Sequence, residues 1–147
     1  MKQKFNLIIS LIAIGFLPWI IILGVEVNDI PFETVTKGSS CGHSDRKDHV
    51  INSQDEWEEL WDITYSNPDV PTIDFQRNTI IAVYLGYRAT GGFGIEIKAI
   101  VEKIYGIVVH VKETSPEPGS PVTLANTQPY HIVKTRKLLR SIVFLRV

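Results

Sequence analysis

Four histidines, one cysteine and a cluster of carboxylates are the residues of this chain that could do chemistry. His43, His49, His110 and His131 are suitable metal ligands by type, but none stands at ligand spacing from another histidine or a carboxylate in a recognisable motif. Cys41, two residues before His43, suggests a thiol nucleophile, because a neighbouring imidazole lowers a thiol pKa. A working pair is normally assembled by the fold, however, and no third group is apparent that would orient the base. Asp55, Glu56, Glu58, Glu59 and Asp62 crowd one short stretch, where they read as the cap and solvated face of a helix. The sequence therefore leads us to expect no catalytic residue, no metal and no cofactor.

The most distinctive stretch runs from Gly86 through Tyr87, Arg88, Ala89, Thr90, Gly91, Gly92 and Phe93 to Gly94. Its glycines mark a loop whose backbone needs positive φ or close approach to another segment. It follows one strand and leads into another, so there is no helix N-terminus to hold an anion, and it lacks the GK[ST] of a P-loop. Nucleotide binding is disfavoured. Two readings remain open. The loop is a tight connection between neighbouring strands, with Phe93 and Tyr130 in the core and Arg88 solvated. Alternatively it is a recognition surface carried on a rigid sheet, in which Arg88, Thr90, Gly91, Gly92 and Phe93 meet Tyr130 at one sheet end.

The elements that would position these residues follow from periodicity. Ser53 and Glu56 form a capping box, and Trp57, Leu60, Trp61, Thr64 and Tyr65 follow on one helical face that Asn67-Pro68 ends. Thr79 to Leu85 is almost wholly apolar, as expected of a strand buried on both faces. Phe93, Ile95, Ile97, Ala99 and Val101 alternate with polar or small residues, a period of two that predicts a strand. Tyr105-Gly106 turns into a partner strand through Ile107, Val109 and Val111. Ser115 to Pro121 is an exposed loop, and residues 129–135 and 142–147 are further strands. The region from 28 to 50 is polar and mixed, with short strands expected at 33–37 and 49–51. The expected fold is α+β: one helix on a face of a mainly antiparallel sheet of about five to seven strands.

Length and charge narrow the function. A chain of 147 residues holds one domain with a proper core. Lys2 and Lys4 precede an uncharged run from Phe5 to Val25, which reads as an uncleaved membrane anchor or a cleaved signal, with the domain outside. Beyond it stand 13 basic against 16 acidic residues with no basic cluster, which disfavours nucleic-acid binding. A single cysteine excludes an intrachain disulfide. Residues 1–25 are thus the anchor or signal, 26–32 a linker and 33–147 the folded domain.

Taken together, the motifs resemble the PrcB C-terminal-like domain family. The resemblance is carried by Trp57 and Trp61 in the helix, by Ile73-Asp74-Phe75 before the apolar strand, and by Thr90-Gly91-Gly92-Phe93-Gly94-Ile95. Pro129-Tyr130-His131-Ile132-Val133 and the last strand complete it. The family is named for a lipoprotein subunit of a surface protease complex. The N-terminus here lacks a lipobox cysteine, so lipoprotein anchoring does not carry over. The resemblance implies a non-enzymatic, extracytoplasmic accessory or protein-interaction domain whose partner is a protein such as an exported protease, at the cell membrane or secreted. The rival expectations are a protease inhibitor, a small-ligand-binding module and a hydrolase built on Cys41 and a histidine.

Overall fold

The computed structural model describes residues 28–66 and 69–147. The expected signal or anchor over residues 1–25 and the helix stop at Asn67-Pro68 lie outside the described residues. Among the described residues no helix is long and apolar enough to cross a membrane.

Among the described residues, eight strands and one helix follow in the order β1 (Asn28–Asp29), β2 (Phe32–Gly38), β3 (Arg46–Ile51), α1 (Gln54–Tyr65), β4 (Asn78–Leu85), β5 (Gly94–Lys103), β6 (Gly106–Thr114), β7 (Tyr130–Arg136) and β8 (Ile142–Arg146). The α+β expectation is met in its elements. The strands, however, form two four-stranded sheets rather than one, ordered β1-β5-β6-β8 and β2-β7-β4-β3. The physical reason is β4. Every side chain from Thr79 to Leu85 is buried, so both faces of this strand need cover.

One face of β4 carries Ile80, Ala82 and Tyr84 against Trp57, Leu60 and Trp61 of α1. The other carries Ile81, Val83 and Leu85 against Ile95, Ile97, Val109 and Val111 of the second sheet. The hairpin β5–β6 has one such apolar face to offer, and folding it over β4 buries that face. Burial of each of these aliphatic side chains contributes about 1.5–3 kcal/mol. The result is three layers, with α1 outside, the β4 sheet in the middle and the β5 sheet beyond.

The uninterrupted alternation expected along β5 is corrected by a bulge. The pairing of β5 with β6 slips between Ile97 and Ala99. The extra residue turns Ile100 inward beside Ile95 and Ile97, where Ala99 and Val101 had been expected. All pairings are antiparallel except β6 with β8.

Both edges of the two-sheet stack are closed. On one side the chain passes from β1 to β2 through Ile30 and Pro31, and Thr135 Oγ1 donates to the Pro31 carbonyl at 2.8 Å. On the other, Arg146 of β8 reaches Asp48 of β3 and Glu113 of β6, both at 2.8 Å.

The helix begins as its sequence requires. Ser53 Oγ accepts the Glu56 N–H, and the Glu56 carboxylate in turn accepts from Ser53 Oγ at 2.9 Å. The Trp57 indole N–H donates to the Pro71 carbonyl at 2.9 Å, which ties the segment before β4 back onto the helix.

Candidate functional site

The glycine loop is pinned along its length to the segment between β6 and β7. Arg88 and Thr127 form an antiparallel bridge, each N–H donating to the other's carbonyl at 2.8 Å. The Gly91 N–H donates to the Thr123 carbonyl at 2.9 Å. Thr127 Oγ1 donates to the Thr90 carbonyl and the Tyr87 hydroxyl to Asn126 Oδ1, both at 2.9 Å. Two loops that are far apart in sequence therefore form one surface.

The glycines are required by that closeness. Gly92 has φ of +88°, and a Cβ there would come within 2.9 Å of Pro116. Gly86, at φ +78°, lies so close to the Arg46 amide that a Cβ would approach it to 2.8 Å. Phe93 packs its ring against the core between the sheets, and the Arg88 guanidinium lies 5.5 Å from its centroid. A cation over an aromatic face at such a partly exposed site contributes about 0.5–1 kcal/mol.

Arg88, Thr90, Gly91, Gly92 and Phe93 are thus together. Tyr130 is not with them. The strand entrances do meet, since the Leu85 N–H donates to the Pro129 carbonyl at 2.9 Å. Alternation along β7 nevertheless sends the Tyr130 side chain to the opposite, helix-covered face, where its hydroxyl bonds that of Tyr65 at 2.5 Å. Sequence reading missed Thr123, Asn126 and Thr127 as partners of the loop. The glycines signalled a close approach but not to what.

Beneath the helix lies a second cluster, and it contains the chemistry-bearing residues of the polar N-terminal region. The His43 ring stacks on Tyr84 at 4.2 Å, with His49 edge-on to both. Tyr84 hydrogen-bonds Thr64 Oγ1 at 2.7 Å, and because Thr64 itself donates to the Leu60 carbonyl, the phenol is the donor to Thr64. A cleft of about 250 Å³ between β3 and α1 is lined by His43, Lys47, His49, Glu56 and Glu59 among others.

The electrostatics of this cluster favour the neutral forms of Cys41, His49, Tyr65 and Tyr84. Burial pushes the Cys41 thiol above its ordinary value, and the Sγ donates to the backbone carbonyls of Gln128 and His43 rather than to the His43 ring. Burial also lowers His49, helped by nearby Lys47 and His43. Tyr65 is pushed up to about 12, chiefly by burial, and Tyr84 is raised for the same reason. A protonated thiol, neutral imidazole and neutral phenols provide hydrogen bonds and packing, not an activated nucleophile.

The two remaining histidines separate. His110 lies half-exposed on β6, opposite Ala99. His131 is buried between the sheets, where its Nδ1 accepts the Ile97 N–H at 3.0 Å and its Nε2 lies 2.9 Å from Thr34 Oγ1. Among the described residues no three His, Cys, Asp or Glu side chains are grouped so as to hold a metal ion.

Comparison with known families bears out the resemblance over the middle of the domain. Residues 79–136, from β4 to the end of β7, match the family model described as PrcB C-terminal. This stretch is less than half of the chain and contains the whole glycine loop together with the loop it is pinned to. No curated protein and no solved structure matches the chain.

Proposed function

We propose, from the PrcB C-terminal match over residues 79–136, that this chain is a non-enzymatic accessory domain that binds a protein partner outside the cytoplasm. The apolar run Phe5–Val25 holds it at the membrane, and an exported protease is the partner class the family implies. The observation that carries the reading is the paired loop surface. Backbone hydrogen bonds and positive-φ glycines hold the loop in one conformation, so little ordering entropy opposes docking. Exposed Tyr87 and Leu124 and half-buried Arg88 supply the aromatic, aliphatic and cationic side chains typical of contact surfaces.

Crosslinked pull-down of the tagged full-length protein from membranes tests this, with an Arg88→Ala/Leu124→Ser variant alongside. Recovery of an exported protease or another exported protein with the wild type, and its loss with the variant, is the expected result. Equal recovery by both proteins removes the loop from the interface. Inhibition of a protease by the purified protein, abolished by Leu124→Ser, would favour an inhibitor, for which Leu124 on its pinned loop is the natural residue to enter a protease cleft.

A further inference from the structure

One end of the two-sheet stack combines the arrival of the chain with exposed apolar side chains. β1 begins at Asn28 opposite Glu102, beside the β5–β6 turn. Only Glu26 and Val27 separate Asn28 from Val25, the last residue of the uncharged run. At full extension that linker spans about 11 Å. At the same end Ile104 and Tyr105 form the turn tip and Leu139 projects from the β7–β8 connection, with exposures of 76%, 72% and 86%.

These side chains are held, not merely exposed. Arg140 donates to the Lys103 carbonyl at 2.9 Å and also to that of Ile104, so its guanidinium clamps the β7–β8 connection onto the β5–β6 turn. The Ile107 N–H donates to the Ser141 carbonyl at 2.8 Å, which locks the same two segments. Lys103, Arg136 and Arg140 flank the tip, while the Lys137 ammonium is turned to the Phe75 and Asn52 carbonyls. The carboxylates at this end include Asp29, Glu33, Glu56, Asp74 and Glu102; Glu102 is engaged by Arg136 and Arg140, Glu33 by Lys134 and Asp74 by Arg77.

We propose that this end is a lipid-contacting face: Ile104, Tyr105 and Leu139 dip into the interface of the bilayer that holds Phe5–Val25, and the surrounding cations meet anionic headgroups. The proposal rests on the anchored reading above. A tether of two residues keeps this end within about 11 Å of the membrane surface. Large aliphatic and tyrosine side chains beside Lys103 and Arg140 suit the headgroup layer. Such a footing would turn the opposite end, which carries the paired loops with Arg88 and Leu124, away from the membrane and toward a partner.

The full-length protein in phosphatidylcholine nanodiscs, with and without phosphatidylglycerol, provides the test, using methyl NMR with a paramagnetic headgroup lipid. Leu124, exposed at the opposite end, is the internal control. Ile104 and Leu139 methyls are expected to relax several times faster than those of Leu124, and more so when phosphatidylglycerol is present. Uniform relaxation, or faster relaxation at Leu124, in a protein that co-floats with vesicles overturns the footing while leaving the anchor in place. A protein that does not co-float overturns the anchored reading and the footing with it.

Discussion

His131 Nδ1 accepts the backbone N–H of Ile97 at 3.0 Å, joining β7 in one sheet to β5 in the other at the residue where the β5 bulge begins. An N–H can donate only to an unprotonated ring nitrogen, so this bond requires a neutral imidazole with its proton on Nε2, facing Thr34 Oγ1. Protonating His131 would replace the Ile97 bond with two N–H groups pointing at each other inside the core.

Stability is therefore expected to fall in mild acid. Burial, with Lys37 adding to it, lowers His131 from 6.5 to about 4. Below pH 6.5 the unfolded chain takes up a proton that the folded state refuses until about pH 4. The contribution is complete above pH 6.5, declines between 6.5 and 4, and is then exhausted, a loss of about 3 kcal/mol. His49, also lowered, acts in the same direction. Urea unfolding at stepped pH should show this slope in the wild type and a shallower one in His131→Gln. An NMR titration that finds His131 protonating near 6.5 would refute the account without any variant.

Gly92 and Gly119 form a matched pair for measuring the cost of the loop contact. Both have positive φ, but a Cβ on Gly92 meets Pro116 whereas one on Gly119 meets nothing within 4 Å. Gly119→Ala is expected to cost about 1 kcal/mol through backbone strain alone. Gly92→Ala should cost about 1–3 kcal/mol more, because the Pro116 segment must also shift. Equal losses in thermal unfolding would mean that the two loops do not hold each other.

Trp57 is fully buried and also donates its indole N–H to the Pro71 carbonyl. Trp57→Ala should lose about 3–5 kcal/mol, which for a domain of this size threatens folding altogether. Trp57→Phe keeps most of the packing but leaves the carbonyl without its donor, for a loss of about 1–3 kcal/mol. A phenylalanine variant as unstable as the alanine one would show that packing at this site tolerates no change of ring.

Cys41 should react slowly. Its thiol is raised by burial and its single S–H is shared between two carbonyls, so alkylation at neutral pH is expected to run well below the rate of an unstructured cysteine. Denaturant should restore the ordinary rate. Faster alkylation of the folded protein than of the unfolded one would revive a thiol-based activity.

Arg88→Ala tests surface against scaffold. Its backbone bridge to Thr127 survives the substitution, and what is removed is the contact with the Phe93 ring and the guanidinium's bond to the Tyr87 carbonyl. Unfolding free energy should change by no more than about 1 kcal/mol. A larger loss would make the side chain part of the scaffold rather than a free contact group.

Local pattern carried much of the fold. The Ser53–Glu56 cap and the Trp57, Leu60, Trp61 and Thr64 stripe specify α1, because capping and helical periodicity act within a few residues. The apolar run of β4 stated that both its faces are covered, and the β5–β6 hairpin was legible from alternation and its Tyr105-Gly106 turn. The four glycines between Gly86 and Gly94 announced a close approach.

What lay opposite each surface could not be read along the chain. A strand buried on both faces is satisfied equally by a helix, a loop or a second sheet, so the division into two sheets depended on where the β5–β6 hairpin folded. The bulge after Ile97 reversed the inward-facing residues, since one inserted residue exchanges the two faces of a strand. The parity of β7 likewise placed Tyr130 with Tyr65 and Tyr84 under the helix, and His131 on Ile97, instead of bringing Tyr130 to Arg88. Sequence by itself determined the helix, the tight loop and the strands from Thr79 onward, because those preferences arise from neighbouring residues, while β1 and the start of β3 took shape only through their pairing with β5 and β4. Only the tertiary structure decided which side chains meet, because register and sheet packing are set by contacts between residues far apart in the chain.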